Sequence, residues 1–149
     1  MDRRAAKELM HIDGWLHRVA GIVARGKAAY LGDDLLQEAG DSLMMKLGEA
    51  ANRLSRLGVL APEGVDWALA VANRNFIIHQ YDEINRELTW LTLADDLPNW
   101  HTSLRQLIKQ ADTALAEDTP RTRPPKRLLP EVANDRSAAM YRLEALTAG

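Results

Sequence analysis

The stretch Arg74-Asn75-Phe76-Ile77-Ile78-His79-Gln80-Tyr81 decides how this chain folds and assembles. A permanent cation stands five residues before an imidazole, a phenol follows two residues later, and the run between them is apolar. At 100° per residue, Arg74 lies about 140° from His79 around a helix. A straight helix therefore does not bring the two side chains together. Either the helix ends near His79 and unwinds, or the groups meet across a second copy of the chain. Val65, Leu69, Ala72, Phe76 and His79 trace one stripe, and Ile77 and Ile78 point away from it. An end that is apolar all round is expected to be buried on more than one side.

Upstream, Pro62 suits the first turn of this helix. Before it, Leu36, Leu43, Leu47, Ala50, Leu54 and Leu57 mark a preceding helix. Asp33 is its expected N-cap and Gly58 its C-cap glycine. Gly48 falls in the middle of that helix, at a cost of about 1 kcal/mol against alanine, and close approach of another helix is the expected return. The first helix, roughly 3–25, shows Leu9, Ile12, Leu16, Val19 and Val23 at steps of three and four, and Gly26 and Gly32 break it from the next.

Downstream, Asp82 to Asn85 reads as a turn with capping residues. Ile84, Leu88 and Leu91 begin a short helix ending near Asp95. Leu97, Trp100, Leu104, Leu107, Ala111 and Leu115 form the last stripe of the body. No segment alternates with the period of a strand. Residues 1–117 are expected to form an all-α antiparallel bundle of about five helices. Composition shifts after Glu117. Thr119 to Pro130 holds four prolines and four cations (Arg121, Arg123, Lys126, Arg127), so 118–149 is expected to be a basic arm followed by an amphipathic C-terminal helix.

Composition narrows the function classes. The 149 residues suffice for one domain with a real core, and 46% hydrophobic content excludes a disordered chain. Cysteine is absent, which excludes disulfides and thiolate metal sites and fits a reducing, cytoplasmic compartment. No run approaches the ~18 apolar residues of a membrane helix. A net charge of -2 provides no global basic field, so any nucleic acid must be met by a local patch. Glycine-rich phosphate loops and paired-carboxylate metal motifs are missing. His11 and His17 are not spaced as helical metal ligands, and with His101 they are given no role. No metal and no cofactor are expected. The four tryptophans read as core rather than as a stacking platform for bases.

The stretch Arg74 to Tyr81 resembles the R-x4-H-x-Y signature of HepT-type toxins, a branch of the HEPN ribonuclease superfamily. Leu47-Gly48-Glu49-Ala50-Ala51-Asn52-Arg53-Leu54-Ser55 resembles that family's preceding helix. Asp66-Trp67, Asp82-Glu83-Ile84-Asn85, Trp90 and Leu97-Pro98 fit the same pattern, so the likeness spans about residues 9–115. Gln80 departs from it, standing where a small residue such as glycine is common. The 118–149 extension lies beyond it.

The resemblance implies a helical homodimer, or a higher oligomer built from it, that cleaves RNA without a metal in a cleft between two motifs. Its RNA target would be tRNA or mRNA. An imidazole with an unperturbed pKa near ~6.5 serves as base or acid at neutral pH, which suits His79. A planar, permanently charged guanidinium suits the phosphate and its transition state, which makes Arg74 the second catalytic candidate. Asn75 is a supporting candidate, toward the phosphate or a ring nitrogen. The family's partner is a minimal nucleotidyltransferase (MNT-type) antitoxin, which implies AMPylation at Tyr81; a phenol packed over the helix end is the other reading of that residue. Glu49 either pairs with Arg74 or is a solvated glutamate. A competing function is a non-catalytic helical subunit that binds a nucleotidyltransferase and its substrate.

Overall fold

The computed structural model describes residues 1–79 and 81–117, with Tyr81 described in its backbone alone. The expected basic arm and C-terminal helix at 118–149 lie outside the described residues. The long helices are α1 (Arg3–Ala24), α3 (Asp34–Arg56), α4 (Trp67–His79) and α6 (Leu97–Glu117), with shorter α2 (Lys27–Leu31) and α5 (Arg86–Leu91) between them. The described residues contain no strand, and the fold is the expected all-α bundle. No described helix is long and apolar enough to cross a membrane.

One-sided hydrophobic stripes build the pairs α1–α3 and α1–α6, and α4 packs on α3. Leu9, Ile12, Leu16 and Val19 of α1 are buried, as are Leu43, Leu47, Ala50 and Leu54 of α3. Burying a side chain of this kind contributes about 1.5–3 kcal/mol. Trp67 and Trp100 are core residues that meet edge to face at 5.8 Å, and the Trp67 indole N–H donates to the Val59 carbonyl.

The expected caps are in place. The Asp33 carboxylate accepts from the Leu35 and Leu36 N–H groups, and the Asn85 side chain accepts from Glu87 and Leu88. Gly58, at φ 75°, closes α3, with the Val59 N–H returning to the Leu54 carbonyl and its own N–H to Ser55. That is the paired bonding of a Schellman ending, which needs the left-handed conformation glycine adopts freely.

Four features differ from the sequence reading. The segment between Gly26 and Gly32 is a short helix, which buries Tyr30 against the core. Pro62 opens a turn rather than a helix: the Val65 N–H bonds back to its carbonyl, and α4 begins at Trp67, after the Asp66 carboxylate accepts from Ala68 N–H. The fourth helix does not stop near Asp95. A π-helical turn, Thr92–Asp96, joins α5 directly to α6. The inner face of α4 is also not the expected one. Trp67, Ala70 and Ile77 are buried, whereas Leu69, Phe76, Ile78 and His79 are exposed. Apolar residues all round the helix left its orientation undetermined by pattern, and packing against α3 selects the face.

A polar link ties α5 to the bundle. The buried Asp41 carboxylate accepts from Arg86 Nη1 at 2.7 Å, and this bond raises the Arg86 pKa above its ordinary value. Beside it, the Tyr30 hydroxyl shares a 2.7 Å hydrogen bond with Thr89.

Candidate active site

Helix α4 lies directly on α3, and Gly48 makes that possible. A Cβ at position 48 would sit 2.5 Å from the Arg74 Cβ and 2.7 Å from the Ala70 carbonyl oxygen. The mid-helix glycine therefore permits the close approach its sequence position suggested. It also sets the height of Arg74 above α3, because the Arg74 stem rests on the bare backbone.

Arg74 is half-buried at its base, and its guanidinium is braced by its neighbour. Nε and Nη2 both donate to Asn75 Oδ1, at 3.2 and 3.0 Å. A guanidinium carries five N–H donors, so the brace leaves Nη1 and one Nη2 hydrogen for another acceptor. Asn75 thus holds the arginine, a partner other than the phosphate or ring nitrogen expected for it. Glu49 makes no ion pair with Arg74. The Glu8 carboxylate, 2.6 Å from Arg53, raises the pKa of that guanidinium, and the Glu49 charge adds to the same effect.

His79 ends α4 and is exposed. It makes no hydrogen bond among the described residues, so both ring nitrogens are open to a ligand. Helix α4 runs from Trp67 through His79, and a 3₁₀ turn spans Tyr81–Glu83. Unwinding therefore does not bring Arg74 and His79 together within one chain. Around them, Leu69, Phe76, Ile78, Leu88 and Leu91 are large apolar side chains left in solvent. Phe76 and Leu88 line one shallow depression with Met44 and Thr92. Single exposed apolar residues are ordinary, but a group on neighbouring elements marks an interaction surface.

A second polar cluster lies between α1 and α6. Asp13, His17 and His101 come together there, although the sequence reading gave both histidines no role. The i, i+4 spacing of Asp13 and His17 on α1 was the available signal. His101 lies 88 residues further on than Asp13, and only the α1–α6 packing brings it in.

A small all-α bundle carrying R-x4-H-x-Y at the end of a core helix defines the class of protein. The family model described as Ribonuclease HepT-like matches residues 12–110, well over half of the chain. The chain belongs to the HepT-like ribonuclease family. No curated protein and no solved structure matched it.

Proposed function

We propose that this protein is a metal-independent endoribonuclease, the toxin of a toxin–antitoxin pair, with Arg74 and His79 as its catalytic residues. The observation that carries this reading is the placement of the motif. In a member of a ribonuclease family, His79 stands solvent-exposed at a helix end and Arg74, on the same helix, keeps unused donors.

The two side chains diverge on α4, so a productive cleft takes them from two subunits of a homodimer. The exposed Phe76, Ile78 and Leu88 support an interface there. One His79 removes the proton of a 2′-hydroxyl, and that oxygen attacks the adjacent phosphorus. The P–O5′ bond breaks, and the other His79 protonates the departing 5′-oxygen. The products are a 2′,3′-cyclic phosphate and a 5′-hydroxyl. Positioned acid–base catalysis of this kind is worth about 10²–10⁴-fold. Arg74 balances the charge that builds on the pentacoordinate phosphate, and Asn75 is a positioning residue that holds its fork.

Tyr81 is the proposed point of control. The antitoxin would transfer AMP from ATP to the phenol oxygen, releasing pyrophosphate. An anionic nucleotide two residues from His79 would compete with RNA for Arg74. The test is an oligoribonucleotide cleaved by the unmodified protein, beside the same sequence with a single 2′-deoxy sugar at the cut. Loss of that one cut, with cyclic-phosphate ends elsewhere, is the expected result. Cleavage at the deoxy position contradicts the mechanism.

A further inference from the structure

The Asp13–His17–His101 cluster is built from two helices and shares no residue with the α4 motif. Its rings and carboxylate are already arranged around one oxygen. Asp13 Oδ1 accepts from His101 Nε2–H at 2.7 Å and lies 3.6 Å from His17 Nδ1. His17 Nδ1–H donates to the Asp13 carbonyl at 2.8 Å, which fixes its tautomer and leaves Nε2 with a free lone pair. A histidine that gives one N–H to a backbone carbonyl and offers the other nitrogen has the outer-sphere arrangement of metal-bound imidazoles. The two rings meet edge to face with centroids 4.8 Å apart.

We propose that Asp13, His17 and His101 bind one divalent first-row transition metal ion, with zinc the best fit. One ligand atom from each residue lies within 4.8 Å of the others. Metal–nitrogen and metal–oxygen bonds of about 2.0–2.2 Å place ligand atoms roughly 3–3.5 Å apart. Asp13 Oδ1 and His101 Nε2, 2.7 Å apart, need only open slightly to reach that spacing. Bringing Nε2 of His17 to the same point takes an adjustment of its side chain, which is 67% exposed. The ion takes the place of the proton that His101 shares with Asp13. Two imidazoles and one carboxylate select zinc, cobalt or nickel over magnesium or calcium, which require oxygen ligands.

The surroundings leave room for the rest of the coordination sphere. The cluster lines a cavity of about 400 Å³, open to solvent, with Pro98, Thr102 and Arg105 among its other walls. The Arg105 charge favours an anion or hydroxide in the open position. Because the ligands come from α1 and α6, the ion would clasp these two helices and stabilise the bundle. It has no part in the proposed cleavage, and its test does not depend on that reading.

The test is titration of the untagged full chain with Co²⁺ and with Zn²⁺, followed by visible absorption and calorimetry. One ion per chain, d–d bands in the Co²⁺ form, and a rise in Tm with Zn²⁺ are expected. Loss of an outer-sphere partner typically weakens metal binding about 10–100-fold, and loss of a ligand at least as much. His17→Ala, at an exposed position, should therefore weaken binding at least about tenfold while the metal-free Tm stays unchanged. His101→Gln provides a second arm. It keeps a hydrogen-bond donor toward Asp13 yet should also lose the ion. The proposal is overturned if the wild-type chain binds no ion. Binding that survives both substitutions, or that is lost in His79→Ala, also overturns it.

Discussion

The α3–α4 and α1–α6 pairs solve the same packing problem in opposite ways. In the first, backbones touch: Gly48 removes a side chain, and Ala70 and the Arg74 stem fill the contact. In the second, side chains make the contact: Leu16 and Leu104 are buried, and beside them a 400 Å³ cavity opens to solvent where Asp13 of α1 accepts from His101 of α6. Backbone contact leaves no room for polar groups between the helices, and His79 stands at the end of α4. A contact made by side chains keeps polar groups between the helices. The difference teaches that a glycine can position the arginine proposed as catalytic without itself touching substrate.

The largest expected effect tests the close pair. Arg74→Ala should lower RNA cleavage by at least about 100-fold with little change in Tm, and Arg74→Lys should not restore it, because a point charge lacks the planar fork. Steady-state cleavage kinetics beside thermal unfolding check both parts. Next is Gly48→Val. The new side chain meets the Ala70 carbonyl and the Arg74 stem, which cannot both move away. A loss of about 1–3 kcal/mol in denaturant unfolding is expected, together with reduced cleavage as Arg74 shifts.

The opposite sign is expected on α1. A Cβ at Gly21 meets nothing within 4 Å, so Gly21→Ala should stabilise by up to about 1 kcal/mol and leave cleavage unchanged. Equal effects at positions 48 and 21 would erase the contrast between the two pairs. The smallest effect is at the cluster. In metal-free protein, His101→Ala removes one half-exposed hydrogen bond and should cost about 1 kcal/mol by denaturant titration, without slowing cleavage.

How much of this could be read from the residues follows from the same contrast. Helices α1, α3 and α6 bury one side only, so Leu9, Leu47 and Leu104 announced their faces by spacing. Gly48 announced a close contact because a mid-helix glycine has a known cost. Helix α4 was misread by its apolar content. With Leu69, Phe76 and Ile78 as hydrophobic as Ile77, only the shape of α3 chooses Trp67, Ala70 and Ile77 for the inside. The π-turn at Thr92–Asp96 keeps helical spacing nearly intact and so left no mark in the pattern. The motif residues Arg74 and His79 stood out by type and spacing, but the brace from Asn75 depends on rotamers that sequence does not specify. The Asp13–His101 contact joins distant positions, which local periodicity never reports.

The central claim is that the end of α4 cleaves RNA by imidazole acid–base chemistry. Its most direct measurement is cleavage of total RNA and tRNA by protein confirmed free of modification at Tyr81, in EDTA, with His79→Ala alongside. Cleavage that persists in EDTA, leaves 2′,3′-cyclic phosphate ends, and disappears in a folded His79→Ala is the predicted result. No cleavage by the unmodified wild type, or equal cleavage by His79→Ala, would contradict it.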